Sequence, residues 1–226
     1  MSYVPAAYAR HNISGPRTTS HILLRDRPVK RLALLASIFV WPFAHAGIGA
    51  DGKVAVTDKT FGCILELTPV RGFYVGNLLG NLQGTLSVAQ SSNGGVYPPG
   101  SILQLVPTEV MVKQPQCFNK LTHDWEFFSL DVSKDGSKIV TRGFTEVVNS
   151  FGANCFGCHL KARPEWDMVC ETTHGCDPLP ITPRMIGAWQ RTDPRCKGSE
   201  NVSAEDAAAL RDLDVVRKGL IKSGGS

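Results

Sequence analysis

Five consecutive residues, Cys155-Phe156-Gly157-Cys158-His159, constrain this chain more than any other stretch. C-x-x-C-H is the attachment signature of a c-type haem. On one helical turn two thiols three residues apart point to the same side. There they can bond the two vinyl groups of one porphyrin, while the following histidine offers an imidazole to the iron. Two other chemistries use a C-x-x-C pair. One is a redox disulfide, which belongs near a helix start in a βαβ context. The other is half of a zinc site, completed by Cys170, His174 or Cys176.

The leader bears on the choice. Residues 31–46 read RLALLASIFVWPFAHA, an apolar run after Lys30-Arg31 that ends in Ala44-His45-Ala46. This is a secretory signal pattern with cleavage expected after Ala46. The run falls short of the about 20 apolar residues that span a bilayer. A buried helix or an uncleaved anchor are the alternatives. Residues 1–28 are long for an n-region, and Val29 fits a start codon read as GTG. The expected location of the mature chain is the periplasm.

Residues 1–46 carry six basic side chains and one acidic one, so the chain's net charge of +4 belongs to the leader. The remainder is close to neutral and does not argue for nucleic acid. An oxidising compartment favours disulfides. Beyond Cys155 and Cys158 there are five cysteines, Cys63, Cys117, Cys170, Cys176 and Cys196. One pair is expected among Cys170, Cys176 and Cys196, and Cys63 with Cys117 is a second candidate. An odd number leaves one thiol over.

Residues 47–60 are small and polar and read as a flexible N-terminus. The main domain is expected over 61–200, with a C-terminal helix and tail over 201–226. Leu78, Leu79, Leu82, Leu86 and Ala89 fall on one helical stripe, weakened by Gly80 and Gly84. Strands are expected at Ser101–Val106 and Glu109–Lys113, separated by Pro107. A third covers Trp125–Val132. Ser133–Ser137 contains Asp-Gly and reads as a hairpin turn into a return strand over Lys138–Val148. A short helix is expected near Met185–Gln190 and a final one over Ala204–Ile221, begun by Ser203 with Asp206. The fold class is α+β: mainly an antiparallel sheet with a few flanking helices and one c-type haem packed on the sheet. A largely non-helical segment ahead of Cys155 argues against the small helical electron carriers, whose motif lies near the N-terminus.

Taken in order, several segments resemble the cytochrome P-460 family of exported, β-rich c-type haem proteins, related to the gas-binding cytochrome c′-β group. They are Arg71-Gly72-Phe73-Tyr74-Val75-Gly76-Asn77, Tyr97-Pro98-Pro99-Gly100-Ser101, Asp124-Trp125-Glu126-Phe127-Phe128, and Cys155 to His159. The resemblance covers about Phe61 to Leu160, and Val169 through Cys196 stands as an elaboration beyond it. It implies one covalent haem c on the sheet, His159 as proximal ligand, an open distal side and a possible homodimer. Family members oxidise hydroxylamine or bind NO or CO. The enzymes carry a lysine linked to the porphyrin shortly after the P-x-G-[ST] strand entry. Gln104 and Leu105 stand near that place here, with Lys113 further along.

The expected function is binding or redox transformation of a small nitrogen oxide, hydroxylamine or NO, at five-coordinate iron. The alternatives are non-enzymatic NO or CO binding, and electron transfer by a six-coordinate haem with an unspecified redox partner. Candidate sixth ligands are Met111, Met168, Met185, His123 and His174. Phe73, Phe127, Phe128 and Phe144 are candidate pocket walls, equally at home as core aromatics. Glu109, Glu126 and Glu146 are candidates for a proton relay.

Overall fold

A computed structural model describes residues 47–223 of the chain. The expected signal sequence and its expected cleavage site after Ala46 lie outside the described residues. Six strands follow one another across a single antiparallel sheet in chain order: β1 (Thr68–Val70), β2 (Phe73–Asn77), β3 (Ser101–Val106), β4 (Glu109–Lys113), β5 (Trp125–Ser133) and β6 (Gly136–Gly143). Helix α1 (Leu82–Ala89) lies between β2 and β3. The motif forms α2 (Cys155–His159), and α3 (Pro183–Arg191) and α4 (Ala204–Ser223) follow.

Local chemistry explains most of the borders. Asn81 caps α1 with its side chain, accepting the Gly84 N–H at 3.0 Å, so the helix begins four residues after the expected stripe starts. Pro107 splits the apolar run into two strands joined by a tight turn. The Asp135-Gly136 step turns the β5–β6 hairpin, with Gly136 at φ 125°. The return strand ends at Gly143 rather than at Val148. Gly143 takes φ 145°, a backbone conformation that releases the chain from the ladder.

Side chains alternate across the sheet. One face carries a cross-strand row, Val75 beside Leu103, Leu103 beside Met111, and Met111 beside Phe127. All four are buried, and Phe73, Trp125, Tyr97, Ala89, Val147, Met168, Val169 and Cys155 pack with them. Removing the Phe127 ring from such a site costs about 3–5 kcal/mol. The opposite face carries Ile102, Val110, Val112, Phe128 and Leu130, covered by Val54, Val56 and Phe61. Residues 47–60, read from composition as flexible, thus put Val54 and Val56 into this second cluster, and the Val54 N–H donates to Gln114 Oε1 at 2.8 Å. The sheet is therefore apolar on both sides.

Helices α3 and α4 form a third cluster around Ile181, Met185 and Leu213. Gln190 of α3 clamps this layer to the sheet by donating from Nε2 to the carbonyls of Gly72 and Leu105, both at 2.7 Å. Behind it, Asp193 and Arg195 form a buried ion pair at 2.7 Å. Asp193 also accepts the Ile64 N–H at 2.9 Å, and Arg195 donates to Ser137 Oγ at 2.7 Å. The disulfides are Cys63–Cys196 and Cys170–Cys176. The second lies within the expected cluster; the first corrects the pairing of Cys63 with Cys117. Cys63 adjoins Ile64, which Asp193 holds beside Cys196, whereas Cys117 is exposed and unpaired.

Candidate haem site

The chain leaves β6 and doubles back before the motif. Val148 bridges Asn154, the Asn149 N–H donates to the Ala153 carbonyl at 2.8 Å, and the Cys155 N–H to the Val147 carbonyl at 3.0 Å. This return carries Cys155 under the sheet. Asn154 is the N-cap of α2: its Oδ1 accepts the Gly157 N–H at 2.8 Å, and its Nδ2 donates to Thr145 O. One turn of helix then follows, and it sets the two thiols on a single side.

Cys155 is buried in the cluster that contains Val75, Leu103, Met111 and Phe127. Cys158 is half-buried, and neither sulfur enters a disulfide. Burial pushes the Cys155 thiol up to about 12, with Glu109 and Cys158 adding to the rise. A redox C-x-x-C pair needs the reverse, a thiol held low in an electropositive, partly exposed setting. The zinc alternative loses two of its three completing ligands, because Cys170 and Cys176 bond to each other. Among the described residues no three His, Cys, Asp or Glu side chains gather as a metal site. A haem needs only one such ligand, since the porphyrin supplies the others.

His159 closes α2. Its Nδ1 lies 2.7 Å from the Met168 carbonyl oxygen. A carbonyl only accepts, so the proton must sit on Nδ1 and the Nε2 lone pair is free to ligate. Burial holds the imidazole below its ordinary value, the carbonyl contact opposing, which favours the neutral ring that binds metal. The ring packs 5.1 Å from Phe127, so it abuts the apolar row of the sheet. Two unpaired thiols and a neutral histidine of fixed tautomer are the groups that would tether and ligate a covalent haem.

The Met168 carbonyl is itself held in place. Asp167 and Met168 are consecutive non-glycine residues at φ 47° and 64°. The Cys170–Cys176 bridge closes the loop that follows. From within it, His174 stacks on Trp166 at 3.6 Å, and its Nδ1 donates to the Val169 carbonyl at 2.9 Å. Trp166 Nε1 is buried and finds no hydrogen-bond partner among the described residues.

The candidate residues separate by face. Glu109 shares the motif's face, two positions along β4 from Met111, and is close enough to raise the Cys155 thiol. Its carboxyl is pushed up by burial, against the Ser150 N–H that donates to it at 3.0 Å. Glu126 points to the opposite face, paired with Arg142 at 2.7 Å. Glu146 is exposed and accepts the Phe144 N–H. Phe73 and Phe127 line the site. Phe128 does not, because it is the next residue on the strand and faces the other way, against Phe61 at 5.2 Å. Phe144 packs edge-on to Phe118, away from the cluster.

Among the candidate ligands, Met111 and Met168 lie in the cluster with Cys155. Met185 belongs to the α3–α4 core. His123 is half exposed at the surface, and His174 is taken up by its stack and its carbonyl contact. Gln104 Nε2 donates to the Pro107 carbonyl at 2.9 Å, and Leu105 packs against the cluster. Lys113 sits on the motif's face but turns its Nζ to Asp167. Asn154 and Asp167 were not singled out from sequence as parts of the site; Met168 was, as a candidate sixth ligand, but it is its carbonyl that meets His159. Asn154 carried a signal, an asparagine directly before a helical motif; Asp167 carried none.

Compared with protein-family models, with curated proteins and with solved structures, the chain matches none. Among the described residues no helix is long and apolar enough to cross a membrane.

Proposed function

We propose that this chain is an exported mono-haem c-type cytochrome, resembling the cytochrome P-460 family, that binds a small nitrogen oxide or another diatomic at the iron. The observation that carries the proposal is His159: its Nδ1 proton is committed to the Met168 carbonyl beside two unpaired thiols, which leaves Nε2 as a ligand. When bound, the haem supplies a redox-active iron with a position for a small ligand.

The chain's own residues do the rest. Cys155 and Cys158 would tether the porphyrin, and His159 would ligate the iron. Val75, Leu103, Met111 and Phe127 exclude water from the sheet side. Glu109 places on the same face a carboxyl that burial pushes up from its ordinary value. Its location supports it, rather than Glu126 or Glu146, as the proton-handling group. Lys113 Nζ is engaged with Asp167 and the His123 carbonyl, which favours a haem without a lysine cross-link and hence ligand binding over hydroxylamine oxidation. Export remains part of the proposal through the leader, and two disulfides are bonds that an oxidising compartment preserves.

A second possibility has one observation in its favour. Met111 is buried in the motif's cluster, so a thioether in the sixth position would give an electron carrier. Ferric and ferrous absorption spectra before and after adding NO or CO decide between them. The proposal expects high-spin spectra that change with either gas. Low-spin spectra indifferent to both would overturn it, and a strongly red-shifted ferrous Soret band would restore the cross-linked enzyme.

A further inference from the structure

A buried ion pair that meets the motif through the backbone belongs to neither tether nor ligand. Asp167 and Lys113 form an ion pair at 2.7 Å with side chains 3% and 5% exposed. Lys113 Nζ reaches both carboxylate oxygens, at 2.8 and 2.7 Å, and donates to the His123 carbonyl at 2.6 Å. It also lies 5.0 Å from the Trp125 ring centre. The Tyr97 N–H donates to Asp167 Oδ2 at 2.9 Å, and Trp125 Nε1 donates to the Asp167 carbonyl at 2.7 Å. His123 Nδ1 stands 3.6 Å from Oδ1. Asp167 is thus fixed through its carboxylate and its carbonyl by β4, β5 and the segment before β3.

The bonds hold a backbone that would otherwise relax. A left-handed L-residue costs roughly 1–2 kcal/mol, and here two stand in succession. Such geometry persists only where the surroundings over-determine it. Its product is the direction of the next carbonyl, that of Met168, which accepts the His159 Nδ1 proton. The hydrogen bond to the second nitrogen of a ligating histidine sets ring orientation and ligand basicity.

We infer that Lys113 and Asp167 are positioning residues for His159: the buried ion pair locks the Asp167–Met168 turn and through it sets the strength of the axial ligand. The inference rests on the haem proposal for its metal readout and on geometry alone for its histidine readout. Loosening the turn weakens the Nδ1 hydrogen bond, lowers imidazole basicity and favours the ferrous state.

The test uses the full-length purified protein and compares Asp167→Asn, Lys113→Met and Lys113→Arg with wild type. Asp167→Asn and Lys113→Met should shift the ferrous-to-ferric ratio at fixed potential by roughly tenfold toward ferrous, an increase of about 59 mV for one electron. The iron–histidine stretching frequency should fall in parallel. Lys113→Arg keeps the charge pair and should stay near wild type on both readouts, and it serves where a charge-removing variant does not fold. Variants that melt earlier yet keep the potential and the stretching frequency would overturn the inference, as would Lys113→Arg behaving like Lys113→Met. Purified protein without haem would defeat the underlying proposal instead. The inference is then read from the His159 ring nitrogen shifts: an Nδ1-protonated ring in wild type and a mixture of tautomers in Asp167→Asn support it, and identical shifts overturn it.

Discussion

Opening the two disulfides one at a time separates what stabilises the fold from what shapes the site. Cys63–Cys196 spans a separation of 133 residues and Cys170–Cys176 only six. In the chain-entropy account the cost of opening grows with the logarithm of the loop, which gives about 5 kcal/mol for the first and about 2 kcal/mol for the second. The long bridge ties the segment before β1 to the loop after α3, where Asp193 and Arg195 already hold Ile64 and Ser137. The short one closes the loop that begins beside Met168. Cys63→Ala/Cys196→Ala should therefore shift the guanidinium midpoint about twice as far as Cys170→Ala/Cys176→Ala, followed by far-ultraviolet circular dichroism. The haem absorption spectrum should change in the order opposite to stability, moving with the short loop and not with the long one. If opening the short loop costs as much stability as opening the long one, loop closure is not the source of the stabilisation. If the long-loop variant alone moves the spectrum, Met168 is not held in the way described.

Four further outcomes follow from the same geometry. If Cys155 and Cys158 tether a haem as proposed, His159→Ala should keep it attached but alter both the ferric and ferrous spectra; an unchanged spectrum places the ligand elsewhere. Asn154→Ala removes the α2 cap and should cost about 1 kcal/mol in thermal unfolding, with less haem incorporated per chain. Met111→Leu keeps the volume of the site and should cost under about 1.5 kcal/mol. Its spectrum should match wild type, whereas a low-to-high-spin change would make Met111 the sixth ligand. Glu109 binds its proton more tightly when folded, because burial raises its carboxyl. Its contribution is greatest below the ordinary carboxylate range and is lost as pH rises through the folded value. Glu109→Gln should accordingly flatten that descending part of the stability curve; a slope unchanged from wild type assigns it to another group.

The order of β3 to β6 was legible because turn chemistry marks the borders: Pro107 splits β3 from β4, and Asp135-Gly136 turns β5 into β6, whereas β1 and β2 were not read as strands. The faces were harder to read. Glu126 and Phe128 are buried on one side while Trp125 and Phe127 are buried on the other, so the strand shows no polar alternation to orient it. Phe128 and Phe127 therefore looked equivalent until the packing of Cys155 and His159 distinguished them. Cys155, Cys158 and His159 declared themselves by spacing, a purely local property. Asp167 did not, because its significance comes from Lys113, 54 residues away, and from a left-handed backbone that its side-chain type does not announce. The pairing of Cys63 with Cys196 is non-local in the same sense, and spacing alone favours nearer partners.

The central claim is chemical and can be read directly. Tryptic peptide mass mapping of the mature, purified protein should find the peptide that contains Cys155 and Cys158 carrying the mass of one haem, with neither thiol open to alkylation. The same peptide recovered without haem, both cysteines alkylated, would contradict the account.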